Sequence, residues 1–187
     1  MAQQSPVLSA LTSPKAFSAL AGVALGIIIF LVTAFAMGLF TKPTEEQLLE
    51  QAREQAIPPE LSRAKNDEFL AAHGKEAGYT VTASGMRYRV IKPGTGKKPE
   101  SASATVKVHY TGKFIDGKTF DTSVGGEPAE FPLDGVVKGW TEGVQLMHVG
   151  EKAELILPYD LAYGPDGRRG IPPYQTLDFE VELLEVK

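Results

Sequence analysis

Leu177-Asp178-Phe179-Glu180-Val181-Glu182-Leu183 alternates apolar and acidic residues without a break until Leu184 ends the run. Successive side chains of a strand point to opposite faces of a sheet, so this period of two predicts a strand with one buried face and one wet face. The same alternation recurs upstream. Ala153, Leu155 and Leu157 alternate with Glu154 and Ile156; Val106, Val108 and Tyr110 with Lys107 and His109; Met86, Tyr88 and Val90 with Arg87, Arg89 and Ile91. Pro93-Gly94, Asp116-Gly117 and Asp166-Gly167 separate these runs and supply the backbone torsions that tight reversals need, which implies antiparallel connections. One stretch among the strands, Val137 to Met147, instead spaces Trp140, Val144 and Leu146 as a short helix does. The predicted fold is α+β, an antiparallel sheet curled over a single short helix.

Before Tyr79 the period is helical. Thr44-Glu45-Glu46-Gln47 is a capping box, and a helix from there is expected to end at Pro58-Pro59, whose rings and missing N–H groups stop it. A second helix is expected from about Glu60 to Ala77, with Leu61, Ala64, Phe69 and Ala72 on one side and Gly78 as its C-terminal cap. The apolar stripe is thin, which fits either a spacer docked on the sheet or a homodimer contact through the linker. Further upstream, residues 16–40 hold no charge and are flanked by Lys15 and Lys42. A helix of that length measures about 37 Å at about 1.5 Å per residue, enough for a hydrocarbon core of about 30 Å. The segment reads as a transmembrane helix or signal anchor, with Ala34-Phe35-Ala36 as the feature favouring a cleaved leader. Four parts result: a tail (1–15), the apolar segment (16–40), a helical linker (41–78) and the sheet domain (79–187). The charges flanking the apolar segment are nearly balanced and do not orient it.

Composition removes several chemistries. The 187 residues include no cysteine, which excludes disulfide scaffolds, thiolate metal sites and cysteine nucleophiles. A net charge of −4 without a basic run argues against nucleic acid as a partner. His73, His109 and His148 lie on separate elements without ligand spacing, so no metal site is expected. Gly94-Thr95-Gly96 opens no helix and is a turn, not a phosphate loop. No serine sits in a Gly-x-Ser-x-Gly elbow. Arg168-Arg169 reads as a solvated turn in preference to an anion site.

A set of bulky residues remains: Tyr110, Phe120-Asp121, Val136-Val137, Trp140, Tyr163, Ile171-Pro172-Pro173 and Phe179. By residue type alone they either fill the core or line one concavity. Five blocks that carry them occur in order. These are Val108-His109-Tyr110-Thr111-Gly112, Asp116-Gly117-Lys118-Thr119-Phe120-Asp121-Thr122-Ser123, Val136-Val137-Lys138-Gly139-Trp140, Leu161-Ala162-Tyr163-Gly164, and Ile171-Pro172-Pro173 with the 177–184 strand. Together they closely resemble the FKBP-type peptidyl-prolyl cis-trans isomerases over about Ser84 to Lys187, and Asn66 to Gly78 looks like the helical lead-in of bacterial Mip-like members.

The resemblance implies an antiparallel half-barrel wrapped around one short helix, and an apolar pocket that receives proline. By position, Trp140 is its floor, and Phe120, Val136, Val137 and Phe179 bind substrate as walls, together with Tyr110 and Tyr163. Tyr110, Asp121 and Tyr163 are the catalytic candidates. Asp121 is expected to hydrogen-bond within the site or polarise the substrate, and the Tyr163 hydroxyl and Ile171 backbone N–H to bind substrate carbonyls. Two positions depart from the family pattern: Ala129 stands where an aromatic residue is frequent, and Arg168 where a histidine is. Phe131 is expected in the core. No cofactor or metal is implied. The implied partners are proline-containing polypeptides, macrolide inhibitors such as FK506, and a membrane through residues 16–40. The expected location is a bacterial inner membrane with the isomerase domain periplasmic, a cytoplasmic-facing domain being the alternative. The alternative function is a non-catalytic proline-binding chaperone or assembly subunit of a membrane complex.

Overall fold

On its inner face, β7 (Leu177–Val186) buries Leu177, Phe179, Val181 and Leu183, so the alternation that predicts the strand also orients it. The computed structural model describes residues 44–187; the 1–15 tail and the 16–40 segment lie outside the described residues. Among the described residues no helix is long and apolar enough to cross a membrane. The chain divides into two compact units, one ending at Leu48 and one running from Leu49 to Lys187, and the sheet and its site lie wholly in the second.

Six further strands complete the sheet: β1 (Thr80–Val81), β2 (Arg87–Lys92), β3 (Thr105–Phe114), β4 (Thr119–Thr122), β5 (Ala129–Pro132) and β6 (Lys152–Leu157). All pairings are antiparallel, in the order β1-β2-β6-β7-β3-β4, with β5 on the same edge of β3 as a second partner. β5 pairs the first half of β3, Thr105 to Val108, and β4 pairs Thr111 to Lys113. Tyr110 therefore sits in the gap between them, its backbone completed by Ser123, whose N–H donates to the Tyr110 carbonyl and whose Oγ accepts the Tyr110 N–H. Register irregularities between Lys107 and Val108, Gly112 and Lys113, and Val90 and Lys92 bend the strands where the sheet curls.

Three α-helices are present among the described residues: α1 (Glu45–Gln55), α2 (Arg63–His73) and α3 (Lys138–Leu146). The capping box forms, with Gln47 accepting the Thr44 N–H and Thr44 Oγ1 accepting the Gln47 N–H. α3 crosses the inner face beside β6 at unusually close range. A Cβ at Gly139 would overlap the Leu157 methyl groups, and one at Gly143 would lie 2.9 Å from Leu155 Cδ1. Two glycines in a helix each cost roughly 1 kcal/mol relative to alanine. Here they let the backbone approach the strand and set the depth of Trp140. Around them Met86, Val144, Met147, Leu155 and Leu157 are fully buried.

The linker differs from its sequence reading. Pro59–Leu61 forms a 3-10 turn, α2 starts only at Arg63, and it ends at Gly74, so the expected 60–77 helix capped by Gly78 is shorter at both ends. At its last turn the Leu70 carbonyl accepts the Gly74 N–H at 3.1 Å and also two bonds from Arg87 of β2, at 3.1 and 2.8 Å, which tie the helix end to the sheet. Ala64 and Ala72 are exposed; Ile57, Leu61 and Asn66 are the buried residues of this region, with Phe69 and Leu70 half-buried. Ile156, read as wet, is fully buried on the outer face between Arg87 and Asp178, because Arg87 holds α2 against that part of the sheet. Val90 departs the other way: it is 46% exposed, where alternation placed it inside.

Candidate active site

The other half of the inner face is hollow. A cavity of about 450 Å³ is lined by Tyr110, Phe120, Asp121, Phe131, Gly135, Val136, Val137, Trp140, Tyr163, Arg168 and Phe179. Eight of the nine sequence candidates meet there. Trp140 forms the floor, only 4% exposed, and the rings of Tyr110, Phe131 and Phe179 stand nearly perpendicular to it at 88°, 90° and 85°, with centroids 5.2, 5.8 and 5.4 Å away. Edge-to-face contacts of this kind contribute about 0.5–1.5 kcal/mol each beyond area burial. Phe120 closes one side, perpendicular to Phe179 at 5.6 Å.

Each ring has a local cause. Val136 and Val137 lie where the turn Leu133–Gly135 enters α3, a corner fixed by the Thr141 hydroxyl donating to the Leu133 carbonyl at 2.6 Å. Gly112 lies between Asp121 and Phe179 in the register, and a Cβ there would sit 2.6 Å from Phe120 Cζ and 2.8 Å from Phe179 Cε1. The missing side chain is the space in which those two rings meet. Tyr110, in the gap between β4 and β5, donates its hydroxyl to Asp121 Oδ2 at 2.8 Å. Burial, and then the Asp121 carboxylate it bonds, push the Tyr110 hydroxyl up to about 12, so it remains a proton donor at any physiological pH.

The loop from Pro158 to Thr176 brings Tyr163 and Arg168 to the opposite wall. Asn66 of α2, 1% exposed, pins its end: its Oδ1 accepts the Thr176 N–H at 2.6 Å while its Nδ2 donates to the Leu61 and Ser62 carbonyls. Gln175 Nε2 joins the same Leu61 carbonyl and that of Pro173. Within the loop the Tyr174 N–H reaches the Gly164 carbonyl at 3.2 Å.

Ile171 does not join the others. It is 4% exposed within the core, and its N–H donates to the Arg168 carbonyl at 2.8 Å, closing a two-residue reversal over Arg169 and Gly170. The expectation that this N–H faces a substrate carbonyl is not met in this structure. Three lining residues lie outside the nine candidates, Gly135, Phe131 and Arg168. Phe131, assigned to the core, is half-buried and forms a wall. Arg168 is exposed on a turn, as expected, and in addition lies over the Tyr163 ring, 4.4 Å from its centroid, and lines the cavity. Phe131 had a usable signal, since on β5 it pairs with Val106 on the side of the sheet that faces Trp140. For Arg168 the signal was its place where the resembled family often has a histidine, while its position on the wall depends on how the loop returns.

Comparison with known proteins agrees with this geometry. A family model described as FKBP-type peptidyl-prolyl cis-trans isomerase matches residues 96–184. The FkpA isomerase of Aeromonas hydrophila is 46% identical over 164 residues, covering 81% of this chain and 61% of that protein. The FKBP-type 22 kDa peptidyl-prolyl cis-trans isomerase of Escherichia coli (strain K12) is 51% identical over 125 residues, covering 66% of this chain and 60% of that protein. The outer membrane protein MIP of Legionella longbeachae is 42% identical over 151 residues, covering 80% of this chain and 64% of that protein. The chain thus spans about three-fifths of the length of these curated relatives. Among solved structures, FkpA from Escherichia coli superposes with a TM-score of 0.67 at 34% identity, covering 94% of this chain and 98% of that one. An isomerase from Pseudomonas syringae gives 0.62 at 36% identity, covering 79% and 99%.

Proposed function

The chain belongs to the FKBP-type peptidyl-prolyl cis-trans isomerase family, and we propose that it catalyses rotation about X–Pro bonds in polypeptide clients held in the Trp140 cavity. The observation that carries this reading is an open, ring-walled hollow over a buried indole floor.

The chemistry required is modest. Rotation meets a barrier of roughly 18–20 kcal/mol because the planar amide is resonance-stabilised. No bond is broken. A millionfold acceleration needs only about 8 kcal/mol of preferential transition-state binding. The planar amide is more charge-separated than the twisted one, so an apolar wall that excludes water disfavours the ground state relative to the rotating state. Phe120, Val136, Val137, Trp140 and Phe179 grip the pyrrolidine ring in this scheme. Tyr110 and Asp121 hold each other at the rim, so that the Asp121 carboxylate faces the amide at a fixed position. The Tyr163 hydroxyl, on the facing wall, donates to a substrate carbonyl. FK506-type macrolides occupy the same hollow.

The test is proline-limited refolding of a model protein with catalytic amounts of the chain. The slow phase should accelerate in proportion to enzyme, and less so with Asp121→Ala. An unaltered slow phase at micromolar enzyme removes the isomerase reading and leaves proline binding without turnover.

We propose further that residues 16–40 anchor the chain in a bacterial inner membrane, with the isomerase domain on the periplasmic side. The uncharged run and its lysine flanks support the anchor, and the name of the Legionella relative supports an envelope location. Protease added to spheroplasts should digest the domain; protection would place it in the cytoplasm. α1 buries none of its residues and exposes Leu48 and Leu49, which supports a homodimer contact through the linker. Light scattering of the detergent-solubilised chain should then give twice the protomer mass, and the protomer mass would refute it.

A further inference from the structure

Two charged side chains line the cavity, Asp121 and Arg168, and they are differently placed. Asp121 already accepts the Tyr110 hydroxyl at 2.8 Å. Among the described residues, Arg168 forms no ion pair. Its backbone is clamped by two reciprocal hydrogen bonds with Ile171, N–H to carbonyl at 2.9 and 2.8 Å. Its guanidinium carbon lies over the Tyr163 ring, 4.4 Å from the centroid. A guanidinium carries its five N–H donors in its own plane, and a ring against its face leaves those donors available to a carboxylate in a two-point contact. The charge reaches into the site, since it opposes the upward shift of the Tyr110 hydroxyl.

From this placement we infer that Arg168 is a specificity-determining residue, selecting proline segments that carry an acidic side chain on a residue next to the proline. The inference rests on the proline-binding reading of the cavity and names its substrate class. An apolar hollow alone ranks such segments by the size of the neighbouring side chain. A fixed, unpaired guanidinium on the wall adds attraction for Glu and repulsion for Lys. For a partly exposed pair the two effects together amount to roughly a fivefold to tenfold difference in affinity at low salt, and salt screens it.

Trp140 is the only tryptophan in the chain and forms the cavity floor, so its emission reports occupancy. The full chain is titrated with short peptides carrying Glu, Leu or Lys immediately before proline, and with a second set carrying them immediately after. In at least one set the Glu peptide should bind roughly fivefold to tenfold more tightly than the Lys peptide in low salt. Arg168→Gln should bring the ratio towards one, and Arg168→Glu should invert it. Equal affinities for Glu and Lys in both sets, or a preference unchanged in both variants, overturns the inference. Isomerisation of the same peptides separates the two levels. Charge-selective binding without turnover supports Arg168 while removing the isomerase reading, and turnover without charge selection does the reverse.

Discussion

The two halves of the inner face flank the same strand, β7, and end in opposite states: one is filled, the other empty. Beside β6, flexible side chains, Met86, Leu155, Leu157 and Met147, pack against α3 until nothing is exposed. Beside β3, the side chains are rings with two torsions each, propped at right angles on Trp140. Leucine and methionine rearrange to fill a gap, whereas perpendicular rings brace one another and leave the space between them open. A hollow survives in a close-packed protein when its walls are too rigid to collapse into it.

The comparison predicts where stability and activity separate. Leu155→Ala, in the filled half, should cost about 3 kcal/mol in urea unfolding, the range for buried leucines, while activity per folded molecule stays close to wild type. An equal loss of activity would show that the halves are not independent. Gly112→Ala should have the next largest effect. The new methyl would displace the Phe120 and Phe179 rings into the cavity, with a stability cost of about 2 kcal/mol and a drop in isomerisation of more than about tenfold. Unchanged peptide turnover would mean that those rings do not define the hollow.

The outer face supplies a control. Burial pushes the Asp178 carboxyl up from 3.8 to about 6, and the neighbouring Glu154 carboxylate adds to the rise, while Lys113 and His73 oppose it. A raised folded value means that the stability contributed by this group is fully present below about pH 4 and is lost as pH rises through about 6. Asp178→Asn should therefore raise stability by about 1–2 kcal/mol at pH 7.5, with the gain shrinking as pH falls towards 4. Thermal unfolding across that range checks it, and a gain independent of pH would contradict it. The smallest stability effect belongs to Tyr110→Phe. Loss of one exposed hydrogen bond to Asp121 should cost less than about 1 kcal/mol, yet lower kcat/KM about fivefold if Asp121 must be held in place. A large stability loss with normal kinetics would make Tyr110 part of the filled half.

Alternation located β3, β6 and β7, and helical spacing located α3, because each of those patterns is decided by a face buried on a single partner. Ile156 defeated it because α2, far away in sequence, folds back over the outer face where Arg87 caps it. The tie between the end of α2 and the sheet was illegible for the same reason, as it is made by Arg87, distant in sequence. Residue types alone left the aromatic set divided between core and cavity, whereas the resemblance gathered it into one hollow, which eight of the nine candidates line. Phe131 was placed in the core and lines the hollow, whereas for Arg168 and Ile171 the return path of the loop decides which groups face the hollow and which are already paired. The Ile171 N–H is bonded to a carbonyl three residues earlier, a pairing visible only once the reversal is folded.

The central claim is that the hollow above Trp140 admits a proline ring. Titrating the full chain with a Leu-Pro peptide and with its Leu-Ala counterpart, and following the single indole's emission, tests it most directly. A saturable spectral shift with the proline peptide, absent with alanine at the same concentrations, is the predicted result; no shift with either peptide, or the same shift with both, would contradict it.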